Sequence, residues 1–128
     1  MKILDTTFLL DLVRGKKETR PVFEGKDRLF TTQINMFEVI RGLFFKNISS
    51  SKFVLITELF EDINVLSLDD DSIIKSAEIS ANLAREGRII PDNDCLIAGI
   101  AITKGISRIV TRDSEHFKRI KGIEVEEY

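Results

Sequence analysis

The sequence predicts an α/β fold, a three-layer sandwich with a central, mostly parallel sheet flanked by helices. Three observations predict it. Short β-prone runs near residues 2–4, 28–31, 64–66, 108–111 and 124–126 alternate with longer helical patterns along the whole chain, the order that parallel crossover units produce. The segment 95–102 is apolar on every side, as suits a helix enclosed by the fold. Hydrophobic residues make up 43% of 128 positions and charged residues 31%, enough apolar surface for one compact core, so a single domain over 1–128 is expected.

Taken in order, Lys2 to Leu4 is a strand that ends at Asp5, and Thr6-Thr7 offers helix-capping hydroxyls to a short helix stopped by Gly15. Residues 16–27 are polar and contain Pro21 and Gly25, which makes them a loop or broken helix before the second strand. A helix follows over about 33–46. On a helical wheel Ile34, Met36, Phe37, Ile40, Leu43, Phe44 and Phe45 form a broad apolar arc, with Glu38 at its margin and Arg41 inside it. A serine-rich break at 47–51 precedes a helix to about Phe60 and the strand at 64–66. Over 72–86 an apolar face of Ile73, Ile74, Ala77, Ile79, Ala81, Leu83 and Ala84 opposes Lys75, Glu78, Asn82, Arg85 and Glu86, and Gly87 is suited to the C-cap. Pro91-Asp92-Asn93-Asp94 opens the enclosed helix and Gly105 ends it. A strand to Thr111, a short helix or loop over 113–120 and a last strand complete the chain.

Composition excludes several classes of function. With 19 basic and 21 acidic residues the net charge is −2, so the molecule as a whole does not attract nucleic acid, and any such site has to be local. From Lys104 to Lys121 six Lys/Arg face two acids, which makes the C-terminal third the region suited to phosphate or simply a solvated face. One cysteine and one histidine nearly exclude a zinc site of ordinary composition and give no disulfide. A cytoplasmic location is the expectation: Asp5 interrupts any signal-like start, and no apolar run approaches the ~20 residues of a membrane span.

Ligands of parallel α/β sheets bind beyond the carboxyl ends of the strands. Asp5 follows the first strand, Asp94 lies in the first turn of the enclosed helix, Asp113 lies just past the fourth strand, and Glu38 sits on an early turn of its helix. An all-carboxylate set suits Mg²⁺ or Mn²⁺. Without a counter-charge such a cluster repels itself, so a metal or a basic side chain such as Arg41 is required. Each acid has an ordinary structural role as well: Asp92 and Asp94 as helix-start residues, Glu38 as a partner of Arg41, Asp5 as a turn residue and Asp113 as a cap. Thr6, Thr7 and Thr111 stand beside these acids, suited to orienting a carboxylate or to capping. His116 reads as structural or substrate-facing, and Phe117 as core.

Four segments carry a resemblance: Leu4-Asp5-Thr6-Thr7-Phe8-Leu9-Leu10-Asp11-Leu12, Asn35-Met36-Phe37-Glu38-Val39 with Arg41-Gly42, Asp92-Asn93-Asp94-Cys95-Leu96-Ile97-Ala98, and Val110-Thr111-Arg112-Asp113-Ser114-Glu115-His116-Phe117. In their order and spacing the chain resembles the PIN domain family, and within it the VapC-type ribonuclease toxins. The resemblance implies that Asp5, Glu38, Asp94 and Asp113 are the acidic quartet, with Asp92 an occasional contributor and Thr111 an accessory. It further implies Mg²⁺- or Mn²⁺-dependent endonucleolytic cleavage of RNA, a homodimer, and inhibition by a cognate antitoxin protein. Gly99 departs from the family's usual Ala. Arg112, Lys118 and Arg119 are then the residues expected to steer the RNA backbone. The alternatives are a PIN nuclease of RNA processing, a PIN-like protein without catalysis, or a receiver-like Mg²⁺-dependent signalling module. A receiver, however, wants an acidic pair after the first strand and a Lys after the fifth, and this chain supplies neither.

Overall fold

The computed structural model describes all residues from Met1 to Tyr128. Its strands are β1 (Lys2–Leu4), β2 (Leu29–Thr32), β3 (Asn64–Leu66), β4 (Arg108–Val110) and β5 (Glu124–Glu126), and its helices are α1 (Thr6–Val13), α2 (Arg20–Phe23), α3 (Gln33–Phe45), α4 (Ser50–Asp62), α5 (Asp70–Arg85) and α6 (Asp92–Thr103). The sheet runs in the order β3-β2-β1-β4-β5, and every pairing is parallel, from Ile3 opposite Phe30 to Ile3 opposite Ile109. From β1 the chain first builds outward through β2 and β3, then returns to β4 on the other side. The switch point of the sheet therefore lies between β1 and β4, where their carboxyl ends open a crevice.

Strand alternation sorts the core into two layers. Ile3, Phe30 and Ile109 point to α5 and α6, where they meet Ile79, Leu83, Ile97 and Ala98. Leu4 and Val110 point to the opposite side, to Phe8, Leu9, Val39, Leu43, Ile56 and Phe60 of α1, α3 and α4. Full burial of each such side chain contributes about 1.5–3 kcal/mol, so the strands, though only three or four residues long, are held by both faces.

Two helices bury a different side from the one their composition suggests. On α5 the inward residues are Ser72, Ser76, Ile79 and Leu83, whereas Ile73 and Ile74 lie 47% and 68% exposed. The reason is proximity to α6: a Cβ on Gly99 would lie 1.9 Å from Ser76 Oγ and 2.8 Å from the Ser72 carbonyl oxygen. Only small side chains fit between two backbones that close. On α3 the buried positions are Asn35, Val39 and Leu43, spaced i, i+4, i+8, and the apolar arc is wider than the sheet can cover. Phe37, Phe44 and Phe45 face outward at 57%, 71% and 89% exposure. Arg41 is exposed too, its guanidinium 5.3 Å from the Phe37 ring centroid, so it neither pairs with Glu38 nor reaches the acids. The polar stretch after Gly15 is a 3₁₀ turn at Lys17–Thr19 followed by α2, with Pro21 in its first turn. No helix is long and apolar enough to cross a membrane.

Candidate active site

The crevice predicted by the topology is a cleft of about 420 Å³ lined by Asp5, Thr6, Thr7, Glu38, Asp92, Asn93, Asp94, Asp113 and His116, with Pro91 and Phe117. The four acids expected to meet do face one space.

Asp5 is the fixed member. Its backbone N–H donates to Val110 O at 3.0 Å, which binds the end of β1 to β4. Although it occupies the N-cap position of α1, its side chain caps nothing and turns into the cleft. Thr111 Oγ1 donates to Asp5 Oδ2 at 2.7 Å, and Asn35 Nδ2 donates to Oδ1 at 2.9 Å. Asn35 is itself locked, because its carbonyl oxygen accepts from the Thr32 hydroxyl at 2.7 Å within the capping box that starts α3. Burial pushes the Asp5 carboxyl up to about 6, opposed by the Thr111 hydrogen bond and reinforced by repulsion from Asp94 and Glu38. Only neutral groups solvate it.

Thr6 and Thr7 serve α3 and β4 instead of capping α1. Thr6 Oγ1 donates to Glu38 Oε1 at 2.7 Å and receives Asn35 Nδ2 at 3.1 Å. Glu38 Oε2 accepts a longer bond of 3.4 Å from Asn93 Nδ2. Asp94, in the first turn of α6, lies 2.8 Å from His116 Nδ1 through Oδ2. Burial raises its carboxyl, His116 draws it back, and Glu38 and Asp113 push it up again. Asp113 is exposed, its backbone N–H donating to Thr111 Oγ1 at 3.1 Å, and Asp92 is exposed at the mouth, with Pro91 in the N-cap position.

None of Asp5, Glu38, Asp92 and Asp113 has a Lys or Arg partner, and His116 on Asp94 is the one ionisable base among the lining residues. As placed, no three of the acids and His116 close into a common coordination sphere. The four carboxylates are nonetheless the donors a hard divalent cation takes, oxygen throughout and without a Lys or Arg partner. The cations expected at the site stand outside it. Arg112 reaches the buried Asp11 at 3.3 Å, Lys118 pairs with Glu127 at 3.1 Å, and Arg119 pairs with Glu115 at 3.4 Å. Asn35 and Asn93 take part without having been assigned a role from sequence, and His116, read there as structural or substrate-facing, lies against Asp94. Asn35 was traceable in principle, as an Asn three residues after a capping Thr and one turn before Glu38.

The molecule is thus an α/β protein with an acid-lined cleft at the switch point of a parallel sheet. The chain belongs to the PIN domain family, whose model matches residues 2–123. Among its relatives, the tRNA(fMet)-specific endonuclease VapC of Salmonella typhimurium is 30% identical over 129 residues, covering 98% of this chain and 96% of the relative. The solved structure of DNA-bound VapBC from Salmonella typhimurium superposes with a TM-score of 0.85 at 27% identity, over 98% of this chain and 96% of that one. The VapBC2 complex of Rickettsia felis, at 19% identity, shares the fold with a TM-score of 0.89 over 99% of this chain and 98% of that one.

Proposed function

We propose that this protein is a divalent-metal-dependent endoribonuclease of the VapC type, the toxin of a toxin–antitoxin pair, which hydrolyses RNA phosphodiester bonds. The observation that carries the reading is the buried Asp5 carboxylate at the β1/β4 switch point, held by neutral donors and facing Glu38, Asp94 and Asp113 with no Lys or Arg to offset them. Asp5, Glu38 and Asp94 would be the principal ligands of Mg²⁺ or Mn²⁺, with Asp113 at the open side and Asp92 and Thr111 as accessories. When bound, such a cation activates water and offsets charge on the scissile phosphate.

The chain's own residues supply the orientation. Thr111 and Asn35 hold Asp5 on both oxygens, Thr6 and Asn93 hold Glu38, and His116 holds Asp94. Phosphate is repelled from five carboxylates at one cleft until a cation offsets them, so substrate binding and metal binding are coupled. The names of the relatives favour a toxin over a nuclease of RNA processing. A cognate antitoxin and a second copy of the chain are the partners of this reading, in the cytoplasm. Exposed Phe37, Phe44 and Phe45 support a protein partner, because apolar surface of that extent marks contact sites.

Purified protein incubated with assorted RNAs is expected to cut with Mn²⁺ or Mg²⁺ and to stop when EDTA is added, with recovery on restoring the metal. Cleavage that persists in excess EDTA would contradict the reading.

A further inference from the structure

A second charged cluster adjoins the cleft. Asp11, on α1, is buried with 2% of its side chain exposed, yet three cations converge on it: Lys16 Nζ at 3.3 Å, Arg112 Nη1 at 3.3 Å and Arg14 Nη1 at 3.8 Å. The Tyr128 hydroxyl donates to Asp11 Oδ2 at 2.6 Å, and the Tyr128 ring packs edge-on against Phe8. Burial raises the Asp11 carboxyl, but Tyr128, Lys16 and Arg112 outweigh it and leave it below the usual carboxylate range. The carboxyl is therefore ionised at neutral pH. The cations are not buried with it, since Arg14, Lys16 and Arg112 remain 46%, 45% and 52% exposed.

One carboxylate cannot neutralise three cations, so the cluster presents surplus positive charge to water from side chains drawn to one point. Like charges gathered in that way raise the local attraction for an anion. Its position ties it to the cleft: Arg112 N–H donates to Thr7 Oγ1 at 3.0 Å, and Thr7 is part of the cleft wall. An acidic cleft repels the polyanion it is proposed to cut, and a cationic site alongside would hold the strand. Lys118 and Arg119 do not offer one, because each is matched by its own acid.

We propose that Arg14, Lys16 and Arg112, gathered on Asp11, form a phosphate-binding subsite that grips the sugar–phosphate backbone of single-stranded RNA beside the cleft. The proposal rests on the nuclease reading and deepens it by adding a substrate handle that does not touch the reacting atoms. Arg14 and Lys16 are the residues to replace, since both are exposed and outside the cleft wall.

Binding of a fluorescein-labelled single-stranded RNA is measured by anisotropy in EDTA across a salt series, for the wild type, the double variant Arg14→Ala/Lys16→Ala and the remote control Lys104→Ala. The double variant is expected to bind more weakly, with a log K against log salt slope flatter by about 1.4, about 0.7 for each cation removed. In Mn²⁺ it should show a raised KM and an unchanged kcat, the mark of lost uniform binding. The control should match the wild type in both. A double variant with the wild-type salt slope and KM would overturn the subsite while leaving the nuclease reading intact, whereas wild-type protein that cuts no RNA would sink the nuclease reading itself. Loss of affinity for polyglutamate with RNA affinity retained would assign the cluster to an acidic protein partner and also overturn the subsite.

Discussion

Asp5→Asn is expected to yield a protein that is inactive and yet more stable than the wild type at neutral pH. The amide fits the same space and its oxygen keeps an acceptor for Thr111, while its nitrogen faces Asn35 Nδ2 and forfeits that bond, a loss of about 0.5–1.5 kcal/mol that the gain described next exceeds at neutral pH. Cleavage should fall by about 10³-fold or more, the scale of losing one preorganised electrostatic element. The stability gain follows from linkage. The Asp5 carboxyl is raised by burial from 3.8 to about 6, so between those values the folded state binds more protons than the unfolded one. Stability from this group is therefore fully present below about pH 4 and is lost as pH rises through about 6, at a cost of at most roughly 3 kcal/mol by pH 7. In metal-free protein Asp5→Asn should remove that loss, raising Tm at pH 7.5 and flattening the dependence on pH between 4 and 6. Addition of Mn²⁺ should then stabilise the wild type by mass action and leave the variant unmoved. A variant with lowered Tm and residual activity in proportion to its folded fraction would mean that Asp5 is only structural.

Gly99→Ala should cost stability even though alanine is the better helix former by about 1 kcal/mol. The new Cβ would lie 2.8 Å from the Ser72 carbonyl oxygen and 2.9 Å from Ser76 Cβ. A rotated Ser76 hydroxyl relieves the shortest contact, but neither of those two atoms moves without shifting α5. Overpacking of this kind costs typically 1–3 kcal/mol, so the net result is a Tm lower by several degrees. Because α6 also carries Asp94, a shift of α6 should reduce cleavage as well. Thermal unfolding and initial rates on the same preparation read both effects, and an unchanged or raised Tm would mean that the α5–α6 contact is looser than described.

The contrast between Gly99 and the acids shows which parts of the molecule are legible in sequence. Strand positions were readable because three or four β-prone residues ending in an acid or threonine are local signals, and their alternation with helices fixes a parallel order. Asp5, Glu38, Asp94 and Asp113 were readable as candidates because strand ends and helix starts point to one edge of such a sheet. The buried face of α5 was not readable. Apolar counting selects Ile73 and Ile74, but the inward side is chosen by how closely α6 approaches, a tertiary distance that only Ser72, Ser76 and Gly99 together permit. For α3, the wheel gives an arc of apolar residues without saying how much of it the sheet covers, so Phe44 and Phe45 belong to the arc although they are exposed. Asp11 was hidden for a related reason: its partners Arg112 and Tyr128 lie more than a hundred positions away.

The central claim is that these carboxylates grip a divalent ion, and the most direct measurement is titration of the protein with Mn²⁺, reading free ion by its electron paramagnetic resonance. Wild-type protein is predicted to remove Mn²⁺ from solution in a saturable way, with Asp5→Asn and Asp94→Asn each losing most of that capacity. Wild-type and variant curves that coincide would contradict the account.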